Sequence, residues 1–222
     1  MIKAIYFIKR KPGMDVAAFQ NYWISTHAAI VKKVPELRKY VQCHTLLSGY
    51  RKGQPIYDGV AEMWFDDIET MRRIAESPDS KAAQADDYAF IDMPMPFVLT
   101  REQVQKDGAT DPSMVKLVEF IFRKPGMDVE QFQDYWRTIH GPIAAKIPQM
   151  RRYVQSPVLL SAYSEGRRRP VYDGVAEVWF DSTDAMRASE KTAEYAATRA
   201  DEPNFIDAGF RFIITKEHTI VR

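Results

Sequence analysis

Lys11-Pro12-Gly13-Met14-Asp15-Val16 returns later in the chain as Lys124-Pro125-Gly126-Met127-Asp128-Val129, and this recurrence decides how the sequence is read. Carried from residues 11–50 to 124–163 at a shift of 113, the register holds 22 identities in 40 pairs. Tyr57-Asp58-Gly59-Val60-Ala61-Glu62 recurs as Tyr172-Asp173-Gly174-Val175-Ala176-Glu177 at a shift of 115, and Phe90-Ile91-Asp92 as Phe205-Ile206-Asp207. The two extra residues fall in the turn 164–170, where insertions are best tolerated. Two units of about one hundred residues make a duplicated domain, since solenoids need three or more short repeats. Residues 103–113 are polar, punctuated by Gly108 and Pro112, and lack a counterpart at the C-terminus. They read as a linker, giving domains at 1–102 and 115–222 with 103–114 between them.

Within one copy the elements alternate. Ile2–Ile8 is rich in β-branched and aromatic residues and reads as a strand. Pro12-Gly13 breaks it, Asp15 can cap a helix, and Phe19, Trp23, Ile30 and Val34 line one face of that helix up to Pro35. Residues 38–48 and 56–65 read as strands, 66–77 and 80–88 as helices, with Met71 and Ile74 inward, and 95–100 as a closing strand. The order βαββαβ is the ferredoxin-like motif, an antiparallel sheet with helices on one face. A lone copy would expose the other face, so the fold class expected is α+β, two such domains in tandem forming an intramolecular pseudo-dimeric barrel.

Composition sets outer limits. The 222 residues carry 31 basic and 30 acidic side chains, a net charge of +1, which offers no electrostatic footprint for nucleic acid or an anionic membrane. No apolar run is long enough for a transmembrane helix, and the first ten residues do not read as a signal peptide. The single Cys43 excludes a disulfide framework and a thiolate cluster and fits a cytoplasmic location. Four scattered histidines with no His-x-x-x-His argue against a metal site, and no Gly-rich phosphate motif occurs. The run Arg167-Arg168-Arg169 reads as a solvated turn or as a mouth for a substrate carboxylate.

Phe132-x-x-Tyr135-Trp136-x-x-x-His140-Gly141-Pro142, following Lys-Pro-Gly-Met, together with Asp173-Gly174-Val175-Ala176-Glu177-Val178-Trp179-Phe180, resembles the EthD family of the dimeric α+β barrel superfamily. The resemblance covers both copies. It implies kinship with cofactor-free monooxygenases, cyclases, isomerases, decarboxylases and haem-binding enzymes, and with proteins encoded near degradative oxygenases. In the first copy His27 is followed by Ala28-Ala29 where the family has Gly-Pro, so the second copy is the stronger candidate.

His27 and His140 are the leading candidates for chemistry. Phe132, Trp136 and His140 are four apart, placing the histidine on the sheet-facing side, where it can act as general acid or base near neutral pH. The alternative is a core histidine bonded to a backbone carbonyl or to Glu177. Glu62 and Glu177 sit mid-strand, as proton-transfer groups with raised pKa or as ion-pair partners of Arg38 or Arg151, or of a residue across the sheet. Tyr40, Tyr153, Gln42 and Gln155 are candidate hydrogen-bond partners for a phenol or carbonyl, with Trp23, Trp136, Trp64 and Trp179 as apolar walls. Gly174, Ala176 and Val178 leave room for a ligand or for close helix packing. Tyr22 and Tyr135 fall at the helix edge, outside the site.

The reading is a cofactor-independent enzyme of isomerase, cyclase, lyase or monooxygenase type acting on a small oxygenated ring or polyketide-like compound. The alternatives are a carrier with the same pocket, or a haem-binding barrel. The chain would work as a monomeric pseudo-dimer or a homodimer.

Overall fold

The computed structural model describes residues 1–164, 169–207, 209 and 211–222. Two of the three arginines in the run at 167–169 lie outside these residues. Two compact units divide the chain, Met1–Leu99 with Glu217–Arg222, and Thr100–Lys216. No helix among the described residues is long and apolar enough to cross a membrane.

The first unit holds β1 (Ile2–Ile8), α1 (Val16–Tyr22), a π-helical turn (Trp23–His27), α2 (Ala28–Val31), β2 (Lys39–Thr45), β3 (Gly59–Phe65), α3 (Ile68–Ala75), α4 (Pro78–Phe90) and β4 (Phe97–Thr100). Its strands run in the order β4-β1-β3-β2. Tyr6 pairs with Ala61, and Ala61 also with Gln42, so their side chains share one face with Tyr40, Gly59 and Met63. Helices cover that face. Lys3, Phe7, Cys43, Glu62 and Trp64 project from the other.

The second unit repeats the plan. It contains β5 (Gln103–Lys106), β6 (Val115–Ile121), α5 (Val129–Tyr135), a second π-turn (Trp136–His140), α6 (Gly141–Ala144), β7 (Met150–Pro157), β8 (Gly174–Phe180), α7 (Thr183–Ser189), α8 (Ala193–Asp201) and the first part, through Lys216, of β9 (Arg211–Val221). The order is β9-β6-β8-β7-β5. Side chains begin the helices as the sequence requires: Asp15 accepts from Ala18 N–H at 3.0 Å, and Ser77 from Ser80 N–H at 3.2 Å.

Three departures from the sequence reading bear on the site. Part of the stretch read as linker is β5, antiparallel to β7, because an open sheet edge offers unpaired backbone groups to any extended segment nearby. The final residues, Glu217–Arg222, belong to the first unit rather than the second. Finally, the first helix of each copy is interrupted by a π-turn that ends on the histidine. The inserted residue shifts the buried stripe: Phe19, Trp23 and His27 are buried, but the stripe continues through Ala28 and Val31, leaving Ile30 half-buried.

Candidate functional site

In each unit the π-turn brings the histidine against the helix that follows β3 and α3, or their repeats. His27 Nδ1 lies 2.8 Å from Asp86 Oδ2, and Tyr22 Oη donates to Asp86 Oδ1 at 2.7 Å. The second unit repeats this arrangement, with His140 Nδ1 2.9 Å from Asp201 Oδ2 and Tyr135 Oη donating to Asp201 Oδ1 at 2.7 Å. Burial lowers the pKa of both histidines, against the opposing pull of the aspartates. The neutral ring therefore keeps its proton on Nδ1, held by aspartate, and offers a lone pair at Nε2. Phe90 and Phe205 lie tilted against the two rings, centroids 4.9 and 4.6 Å away.

His27 opens onto a cavity of about 210 Å³ between helices and sheet, whose polar lining includes Tyr6, Tyr40, Gln84 and Asp87 among mostly apolar residues. Asp87 Oδ1 stands 3.7 Å from His27 Nε2, too far for a hydrogen bond. Burial first, and the neighbouring Asp86 second, push the Asp87 carboxyl up to about 7. Tyr40 accepts from Trp23 Nε1 at 3.0 Å and from Gln42 Nε2 at 3.1 Å. With both lone pairs taken, its own O–H can only donate, and no described residue accepts it.

The second cavity is about 100 Å³ and more polar. Glu119 stands where the first unit has Tyr6, Arg199 where it has Gln84, and Glu202 where it has Asp87. Arg199 Nη1 holds Glu202 Oε2 at 2.5 Å. Burial, with Glu202 nearby, pushes Glu119 up to about 8.

Other expected site residues are placed elsewhere. Glu62 and Glu177 point from the opposite face of the sheet to the histidines, because strand alternation separates Glu62 from Ala61 and Met63. They pair with lysines of the first strand in each copy, Lys3 at 3.6 Å and Lys116 at 2.6 Å, all four groups being buried, and Glu177 also accepts from Ser156 Oγ at 2.9 Å. Arg38 and Arg151 pair instead with Asp66 and Asp181. Trp64 and Trp179 lie on that same face, under Lys3 and Lys116. Cys43, Glu62 and Glu217 bring possible ligand atoms within 4.8 Å of one another, but Lys3 already supplies positive charge there.

Gln42 and Gln155 serve the π-turn. Each donates through Nε2 to the tryptophan carbonyl, at 2.9 Å to Trp23 and 2.8 Å to Trp136. Gln42 Oε1 takes a bond from His44 Nε2 at 3.0 Å, whereas Gln155 Oε1 accepts from Gln105 of β5 at 3.1 Å. The linker strand thus replaces His44, which accounts for Pro157 at that position. Trp23 and Trp136 press on Gly59 and Gly174, so those glycines serve packing rather than a ligand. Asp58 holds Arg10 and Tyr50, and Asp173 holds Arg123 and Tyr163, which makes the repeated Tyr-Asp-Gly motif a structural corner.

The acidic pairs Asp86-Asp87 and Asp201-Glu202 escaped the sequence reading, although extending the Phe90/Phe205 register four residues backwards aligns them. Tyr22 and Tyr135 were set outside the site; they brace its aspartates.

The family model for the EthD domain matches the chain twice, at residues 11–94 and 124–209. No curated protein matches it. A candidate monooxygenase from Fusobacterium nucleatum superposes on 98% of this chain and 93% of its own, at 11% identity and a TM-score of 0.64. An anthrone oxidase-like protein covers 100% and 93% at 12% identity and 0.63. A candidate chlorite dismutase covers 99% and 95% at 10% identity and 0.57. At these identities the likeness is one of fold: two tandem ferredoxin-like α+β units of the pseudo-dimeric barrel class.

Proposed function

The chain belongs to the EthD family, and from that premise we propose that it is a cofactor-independent enzyme moving protons on a small, mostly apolar, oxygenated molecule. The observation that carries this is the neutral imidazole in each unit, locked by aspartate at Nδ1 and lining a cavity. Nε2 is the base, the aspartate and tyrosine behind it fix its tautomer, and Tyr40 or Tyr153 donates to a substrate oxygen. Glu62 and Glu177 have no part in this step. Gln42, Gln155, Trp23 and Trp136 position the π-turn and hence the histidine.

Cavity size narrows the substrate. An apolar cavity of about 150 Å³ accepts benzene, so about 210 Å³ suits one substituted ring and is too small for a fused polyketide skeleton. A haem is larger still than the cavity beside either histidine.

Exchange of the α-protons of cyclohexanone in D2O, followed by NMR, tests the reading. The wild-type chain should accelerate exchange over buffer, and His27→Ala with His140→Ala together should remove at least nine-tenths of that acceleration. A carrier, favoured by the apolar lining of the first cavity, would instead bind phenol and leave the exchange rate at the buffer value.

A further inference from the structure

We propose that the first unit is the working site and that Asp87 is its proton donor, so that the natural substrate is a neutral monocyclic ketone or enone. This rests on the proton-transfer reading and assigns it a second catalytic group, a substrate class and a location.

Three observations lead there. Asp87 is buried, lines the cavity, and stands 3.7 Å from His27 Nε2 with no hydrogen bond to its carboxyl among the described residues. Beside it, Tyr40 turns an uncommitted O–H into the same space. A protonated Asp87 and Tyr40 are both donors, and among the described residues His27 is the base that lines the cavity with them. Such a cavity selects a ligand with an acceptor oxygen and an acidic C–H next to it, and its apolar walls disfavour a charged one.

The second unit arranges its carboxyls differently: Glu119, pushed up by burial, stands on β6 in place of Tyr6. Glu202, the counterpart of Asp87, is held by Arg199 at 2.5 Å, and Gln84 in the first unit brings no such charge. Its cavity, about 100 Å³, is also about half the volume of the first.

The step balances without a further reagent. His27 Nε2 takes the α-proton, the C–H electron pair becomes the C=C bond, and the carbonyl oxygen takes the Asp87 proton. An enol, an imidazolium and a carboxylate result. When the imidazolium trades its Nε2 proton for a solvent deuteron before reprotonating the same carbon, the α-position is labelled; delivery to the γ-carbon of an enone isomerises it, and in either case the enol proton goes back to Asp87 as the carbonyl re-forms. The charged and titratable groups facing Asp87 are His27 and Asp86, with Tyr6 and Tyr40 across from it on β1 and β2.

The test uses the full chain and the cyclohexanone exchange assay. Asp87→Asn should lower the rate roughly a hundredfold, the scale of a lost general acid, while Asp87→Glu keeps it within a few fold. His27→Ala should be as slow as the double histidine variant. The wild-type rate should decline above about pH 7, and Asp87→Asn should lose that decline. Asp87→Asn at the wild-type rate, or His27→Ala retaining most of it, overturns this assignment and leaves the proton-transfer reading standing. No acceleration by wild type overturns both.

Discussion

Asp87 carries a stability cost that its chemistry explains. An unfolded aspartate titrates near 3.8, whereas burial and Asp86 hold this one up to about 7 in the folded chain. The folded state binds the proton more tightly, so this residue's stabilisation is present below about pH 4 and lost as pH rises through 7. Asp87→Asn should therefore be more stable than wild type at pH 8, on the order of 4 kcal/mol at most, with the two melting nearly together at pH 4. Equal melting temperatures at pH 8 would show that folding does not raise the Asp87 carboxyl. Buried histidines slope the other way. His27 and His140 are held below 6.5 by burial, and His44 falls to about 3, so their contribution is full above 6.5 and shrinks as pH drops. His44→Gln should flatten the acid limb of the melting curve between pH 6 and pH 4; an unchanged limb would rule out His44 as its source.

At the scale of elements, the π-turn and the glycine beneath it form one device. Gly59 and Gly174 begin the strands on which Trp23 and Trp136 rest; a Cβ on Gly174 would come 2.4 Å from the Trp136 ring, and one on Gly59 2.7 Å from Trp23. Backbone around them is fixed by strand pairing, so the ring must move. Gly174→Ala should cost about 1–3 kcal/mol, the range for overpacking, read from the urea midpoint, and should shift tryptophan emission. No change in either would mean the ring has space elsewhere. The repeated Gly was visible in the sequence, as was the Phe-Trp-His stripe. What escaped was the extra residue in the helix, since a period of four fits an α-helix and a π-turn almost equally well over two turns.

For the whole molecule, duplication has produced two similar frames with unlike interiors. Tyr6, Gln84 and Asp87 of the first unit are replaced by Glu119, Arg199 and Glu202 at the corresponding positions of the second. A titration with phenol should accordingly saturate at one equivalent per chain. Ala83→Leu, which fills the first cavity, should weaken it at least tenfold. Two equivalents would mean that the second cavity opens beyond about 100 Å³.

By itself the sequence determined the duplication, the βαββαβ order, the helix starts at Asp15 and Asp128, and the placing of His27 and His140 on the sheet side. All of these are local patterns or repeats of spacing, which a single chain displays directly. Only the tertiary structure decided what meets those histidines. Asp86 is 59 residues from His27 along the chain, and Asp201 is 61 from His140. Strand alternation in β3 and β8 then turned Glu62 and Glu177 away from them. Partners that far apart are chosen by helix placement over the sheet, and a mid-strand carboxylate looks the same from sequence whichever face it takes until the neighbouring strands set what stands beside it.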